Sequence, residues 1–120
     1  MNLYLCSLSK INKLPENTIK LFIARKPIKD MKKYGLHHAI SLAPSFKLLN
    51  SIKNNEINFS EYKVIYKEEM KEMNYALNKI ENGVINNNIA LICYCANVET
   101  CHRGILGEYF EEKGISVSKI

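Results

Sequence analysis

Residues 89–110 read IALICYCANVETCHRGILGEYF, and this stretch predicts the centre of the fold. Its first part, Ile89 to Cys95, is the most hydrophobic run of the chain and is typical of a central strand that is covered on both faces. A polar loop follows, and a helix is predicted from Thr100, with the Thr100 side chain as its cap. The first N–H groups of a helix lack internal partners, and the helix dipole is positive there. A strand that leads into such a helix start favours anion binding.

Strand-like and helix-like runs alternate through the rest of the chain, and this alternation indicates an α/β fold. The other predicted strands are Leu3–Leu8, Ile19–Ala24, a run that opens at His37–His38 and closes before Ser45, and an edge strand Ile115–Lys119. The predicted helices are Ser45–Asn54, Asn58–Asn82 with a capping box from Asn58 and Glu61, and Thr100–Lys113. We therefore expect residues 1–120 to form a single three-layer α/β/α domain, Rossmann-like, with a mostly parallel sheet of about five strands.

Composition and charge narrow the functional classes. The chain has 120 residues, is 47% apolar and carries a formal net charge of +5, which favours anionic partners such as phosphorylated metabolites, nucleotides or nucleic acid. It contains no apolar run of the roughly 18 residues that a membrane span needs, so no membrane association is expected. The N-terminal residues lack the leading positive charge of a secretory signal, so a cytoplasmic location is expected. The sequence does not predict the oligomeric state.

Three of the four cysteines lie between positions 93 and 101, beside a Cys-His-Arg sequence. A thiol at a helix start and near cations has a lowered pKa, and the thiolate is the nucleophilic form. Cys95 and Cys101 are therefore the candidate reactive thiols. His102 can orient an anion or move a proton near neutral pH, and Arg103 offers a planar fork for carboxylate or phosphate. We predict that these four residues form the catalytic group.

The predicted anion-binding residues are Arg25, Ser45, Thr100 and Arg103. Arg25 directly follows the second strand, and Ser45 is a suitable N-cap for the helix after the third strand. Ligands of open α/β sheets gather at the carboxyl ends of parallel strands, so both residues are expected at the edge that carries the cysteines. The sequence thus predicts an enzyme-like domain that binds a small phosphorylated or nucleotide-like anion, although it does not decide whether the protein is an enzyme.

Two other uses of the cysteine region remain open. Cys93, Cys95, Cys101 and His102 are suitable ligand types for a structural zinc site, but their spacing differs from that of zinc knuckles. No metal or other cofactor is therefore predicted. Cys101 also falls on one helical stripe with later apolar residues, so burial against the sheet is an alternative, and it is the favoured interpretation for Cys93.

A different class of function is a non-catalytic nucleic-acid-binding module that uses the lysines. The basic residues are dispersed and interleaved with glutamates, which gives this alternative less support than the cysteine region gives an enzyme.

The segment LICYCANVETCHRGILGEYFEEKGISV resembles the C-terminal signature of the domain of unknown function family 488. Upstream, IARKPI, LAPS with its helix, and INFSEYKVIYKEEM are similar to segments that occur in the same order in small members of that family. Larger members have an Asp-Val-Arg motif after the second strand, where this chain has Ala24-Arg25-Lys26. The resemblance implies a compact α/β domain with a Cys-His-Arg site, and it implies no particular reaction.

Overall fold

The computed structural model of the protein describes residues 1–95 and 97–120, and its centre is a five-stranded sheet. The strands are β1 (Leu3–Ser7), β2 (Ile19–Phe22), β3 (Leu36–His38), β4 (Ile89–Cys93) and β5 (Val117–Lys119). Their order is β3-β2-β4-β1-β5, and every pairing is parallel. Leu91 lies opposite Leu5 on one side and Leu21 on the other. The predicted central strand is confirmed, but it ends at Cys93 and not at Cys95.

Four α-helices follow the strands in the order expected of an α/β domain. They are α1 (Phe46–Lys53), α2 (Phe59–Met70), α3 (Asn74–Gly83) and α4 (His102–Glu112). The 3-10 helices of the described residues are Leu8–Lys13, Ile40–Leu42 and Val98–Thr100. The capping box is present: the Glu61 N–H donates to Asn58 Oδ1 at 2.9 Å, and the Asn58 N–H donates to the Glu61 carboxylate at 3.1 Å.

The two faces of the sheet are covered differently. Alternate side chains of β1 and β4, such as Leu5 and Leu91, pack against all four α-helices in the larger core. The opposite face, which includes Phe22 and Ile92, is covered by the first 3-10 helix and by residues between β2 and β3. The predicted single α/β domain is confirmed, and its second outer layer consists of a 3-10 helix and turns.

Two predicted elements differ from the structure. The third strand ends at His38 instead of continuing towards Ser45, because it is an edge strand whose ladder with β2 ends where β2 ends. The predicted long helix 58–82 is two helices, α2 and α3. Residues 71–73 donate their N–H groups three residues back, as in a 3-10 turn, and Met70 and Met73 on either side of this turn are both buried.

The chain topology creates a crevice at one edge of the sheet. The connections from β1 to β2 and from β2 to β3 cross the face that the first 3-10 helix covers, whereas those leading to β4 and β5 cross the helical face. The connections that leave β2 and β4 therefore diverge, and a binding crevice is expected between the carboxyl ends of these two strands. None of the helices within the described residues is long and apolar enough to cross a membrane.

Candidate functional site

A crevice of about 440 Å³ lies where β2 and β4 end, between α1 and the start of α4. Its wall contains basic, aromatic and thiol side chains. The basic residues are Arg25, Lys26 and Lys53; the aromatic ones are Phe46, Phe59, Tyr62 and Tyr94; the thiols belong to Cys93, Cys95 and Cys101. Thr100 and His102 also line it. The crevice therefore occupies the position that the topology predicts, and it brings most of the predicted site residues together.

Three cysteine sulfurs form a cluster at one end of this crevice. The Sγ atoms of Cys93, Cys95 and Cys101 all lie within 4.8 Å of one another, and those of Cys93 and Cys101 are 2.8 Å apart. Cys93 and Cys101 are buried, whereas Cys95 is exposed. The side chain of Tyr94 lies against Phe22 on the other face, as strand alternation requires. We refer to these three sulfurs as the thiol cluster.

Arg103 lies behind the thiol cluster. Its guanidinium is buried, with 2% of the residue exposed, and one nitrogen donates to Cys93 Sγ at 2.9 Å and to the Cys95 carbonyl at 2.7 Å. Its Nε has no hydrogen-bond partner within residues 1–95 and 97–120. Within the same residues, Arg103 is not part of the crevice wall. The positive charge of Arg103 is directed at the sulfurs, and its expected contact with an anion stays a prediction.

The carbonyl of Ile23, just after β2, fixes the tautomer of His102. Its Nε2 lies 2.9 Å from the Ile23 carbonyl, which can only accept, so this nitrogen carries the proton. Burial lowers the pKa of His102, and the ring is therefore neutral near pH 7. The unprotonated Nδ1 lies 3.7 Å from Cys101 Sγ and can accept a hydrogen bond from that thiol.

The three thiols of the cluster differ in pKa. Hydrogen bonds from Cys101 and then from Cys93 hold the pKa of Cys95 far below its ordinary value, against the effect of burial. The hydrogen bonds to Cys93 and Cys95, and then burial, raise the pKa of Cys101. For Cys93, the hydrogen bond with Cys101 lowers the pKa, but the bond with Cys95 and burial outweigh it. Of the three thiols, the exposed Cys95 is therefore the one that ionises most easily, and it lies near the buried charge of Arg103.

Arg25 and Thr100 both line the crevice, as predicted. Arg25 donates from Nε to the Pro44 carbonyl at 2.9 Å, and its guanidinium lies 5.0 Å from the centre of the Phe46 ring. Thr100 does not cap α4, which corrects the predicted helix start. Thr100 ends the third 3-10 helix, and its hydroxyl donates to the carbonyl of Asn97 at 3.4 Å, while Cys101 occupies the N-cap position.

Ser45 caps α1 as predicted, because its Oγ accepts from the Leu48 N–H at 3.1 Å. A carboxylate of the protein already binds there. Glu69, from α2, accepts from the Ser45 N–H at 2.8 Å and from the Ser45 hydroxyl. Within the described part of the chain, Ser45 is not part of the crevice wall. Glu69 therefore occupies the position at which Ser45 was expected to bind an external anion.

Tyr62 is a site residue that the sequence analysis did not identify. Helical periodicity placed it in a core stripe, and its ring does stack between Phe59, at 5.4 Å, and Tyr66, at 6.2 Å. It also lines the crevice. Burial, followed by the charges of Cys101 and Cys95, raises the pKa of its hydroxyl. Its position in the first turn of a predicted helix was the feature that could have indicated a place near the carboxyl ends of the strands.

The four-ligand zinc set considered from the sequence is only partly assembled. The described residues with converging ligand atoms are the three cysteines, and His102 is not among them. The imidazole proton is directed at the carbonyl of Ile23. The structure thus groups three sulfurs without the nitrogen.

The model of the family DUF488-N3a, described as the active DUF488-N3 subclade, matches residues 3–114. Neither the curated proteins nor the solved structures contain a significant match to this chain. The match covers β1, β2, β3 and β4 completely and excludes β5, and it includes the complete thiol cluster with Arg103. The protein therefore belongs to the DUF488 family, within its N3a subclade.

Proposed function

We propose that this protein is a thiol-dependent enzyme that binds a phosphorylated or nucleotide-like anion in the crevice and uses Cys95 as its nucleophile. The observation that carries the proposal is the position of Cys95: an exposed thiol lies in the wall of a crevice that also presents basic side chains. The description of the subclade as active also supports an enzyme. Reduced thiols favour a cytoplasmic protein, and we propose that compartment.

The remaining composition of the crevice favours the proposed ligand class. Arg25, Lys26 and Lys53 provide positive charge for a phosphate group. Phe46 is 59% exposed, so an aromatic ring of the crevice remains available for contact. Flat aromatic surfaces bind nucleobases by stacking. A small molecule that combines a planar ring with a phosphate would therefore contact both kinds of side chain.

The thiol cluster supplies the groups that nucleophilic catalysis requires. The Cys95 thiolate forms the bond to an electrophilic centre of the substrate. As that bond forms, the bond to the departing group breaks and this group leaves with its electron pair. The buried Cys101 thiol keeps its proton, because its pKa is raised, and His102 Nδ1 lies 3.7 Å from its sulfur. Arg103 stabilises the cluster through Cys93 and through the backbone of Cys95.

Alkylation of each cysteine across pH, measured by mass spectrometry, tests the thiol part of the proposal. We expect iodoacetamide to modify Cys95 rapidly at pH values below the ordinary thiol pKa of about 8.5. The buried Cys6 is the internal control, since it lies on the other face of the sheet and burial raises its pKa. If Cys95 reacts only as fast as an ordinary free thiol at each pH, the proposed nucleophile is refuted.

Protection of Cys95 from alkylation by a bound anion tests the anion-binding part of the proposal. A nucleoside monophosphate should slow the alkylation of Cys95 more than inorganic phosphate does, because it contacts the aromatic rings as well. Lys53→Ala should weaken this protection, whereas Lys71→Ala should not. Lys71 is a matched control, because its ion pair with Glu68 lies on the exposed surface of α2. Equal alkylation rates with and without both anions would contradict an anion-binding crevice.

A further inference from the structure

The thiol cluster brings three potential metal ligands close together. Zinc binds thiolates at about 2.3 Å, which places the sulfurs of a tetrahedral site roughly 3.8 Å apart. The three Sγ atoms lie within 4.8 Å of one another, and the shortest separation, between Cys93 and Cys101, is 2.8 Å. Side-chain movements of about 1 Å would bring all three to the distance that zinc requires.

The charges of the three thiolates and Arg103 are also suited to a divalent metal ion. Three thiolates packed together without a cation repel one another, and burial adds to that cost. A divalent ion contributes two positive charges, and the buried guanidinium of Arg103, 2.9 Å from Cys93 Sγ, contributes one. Together they balance three thiolates. Arg103 would retain its hydrogen bond to Cys93 in that state, because a metal-bound sulfur still accepts from N–H donors.

The fourth coordination position is directed towards the crevice. All three cysteines line it, whereas no ring nitrogen of His102 converges with all three sulfurs in the described part of the chain. Structural zinc sites are closed by four protein ligands, whereas catalytic sites keep one position for water or substrate. Within residues 1–95 and 97–120, the cluster offers three ligands and leaves one coordination position open, as catalytic zinc sites do.

We propose that Cys93, Cys95 and Cys101 form a binding site for one thiophilic divalent ion, Zn²⁺, whose fourth position is open to the crevice. The site goes beyond the proposed function, because the geometry of the three sulfurs carries it whether or not Cys95 is a nucleophile. Zinc binding withdraws Cys95 from thiol chemistry, since a metal-bound thiolate reacts slowly with alkylating reagents. The same three sulfurs thus have a metal-free reactive state and a metal-bound protected state.

The test begins with reduced protein that has been freed of metal by a chelator. Titration with Co²⁺, a spectroscopic substitute for Zn²⁺, should produce thiolate-to-cobalt charge-transfer absorption that saturates at one equivalent and disappears when Zn²⁺ is added. Alanine variants of Cys93, Cys95 and Cys101 should each lose this absorption, and Cys6→Ala, a buried cysteine outside the cluster, should retain it. His102→Gln should retain it as well, which distinguishes the three-sulfur site from the four-ligand set.

Alkylation of the wild-type protein keeps the test independent of variants that fail to fold. One equivalent of Zn²⁺ should slow the labelling of Cys95, the exposed cysteine of the cluster, by at least an order of magnitude and leave Cys6 unchanged. Absence of saturable Co²⁺ absorption, or unchanged labelling with Zn²⁺, would overturn the metal site. Rapid labelling of Cys95 without metal would still support the proposed nucleophile in that case. Slow labelling of Cys95 without metal would instead refute the nucleophile while leaving the metal result to stand.

Discussion

Replacing Arg103 with Met removes the positive charge behind the thiol cluster while it keeps most of the side-chain volume. The guanidinium donates to Cys93 Sγ and to the Cys95 carbonyl, and hydrogen bonds that involve a charged group contribute about 1.5–3 kcal/mol each. The Cys95 carbonyl belongs to an exposed residue and regains water as a partner. We therefore expect the free energy of unfolding to fall by about 3 kcal/mol in the Arg103→Met variant.

The same substitution should change the reactivity of Cys95. The charge of Arg103 contributes to lowering the pKa of Cys95, after the hydrogen bonds from Cys101 and Cys93. Its removal raises that pKa, so the thiolate fraction falls and alkylation slows at low pH. The rates of variant and wild type should converge at high pH, where both thiols are ionised.

Urea unfolding followed by circular dichroism measures the loss of stability, and the pH profile of Cys95 alkylation measures the change in the pKa of Cys95. Arg25→Met is the matched control, since Arg25 is the other arginine of the chain and its guanidinium donates to backbone carbonyls instead of sulfur. It should cost about 1 kcal/mol and leave the pH profile unchanged. If Arg103→Met costs no more than this control and the profile does not move, Arg103 does not stabilise the cluster.

Three further substitutions test the packing that positions the crevice, each by urea unfolding. Tyr66→Phe removes a buried hydroxyl that donates to the Leu42 carbonyl at 2.6 Å, so a loss of about 1–2 kcal/mol is expected; no loss would show that the carbonyl finds another donor. Glu69→Gln should cost a similar amount, about 1–2 kcal/mol, because the two carboxylate oxygens accept separately from the Ser45 N–H and hydroxyl, and glutamine replaces one of them with an NH2 group that cannot accept. Gly104→Ala would place Cβ 2.3 Å from a backbone oxygen of the third 3-10 helix, so α4 must shift; wild-type stability together with wild-type Cys95 reactivity would contradict this close approach.

Local features of the sequence were sufficient to predict most of the fold. The hydrophobic run Ile89–Cys93 is long enough for a strand and lacks polar alternation, so it had to be covered on both faces, and it is the central strand β4. Ser45 and Asn58 act as predicted helix caps, because a cap requires only a side chain and backbone within a few residues. The division of 58–82 into α2 and α3 was not predictable, because residues 71–73 contain no helix-breaking residue.

The sequence by itself determined the α/β class, the family resemblance and the identity of the cysteine region, since these depend on periodicity and on residues that are neighbours in the chain. Only the tertiary structure decided how those residues are used. In the structure, Arg103 points inwards and donates to a cysteine sulfur. The Glu69 carboxylate accepts from the Ser45 N–H at the start of α1, and the His102 ring donates to the Ile23 carbonyl just after β2. Each of these contacts joins groups from different elements, and a buried polar group takes whichever partner the packing brings near.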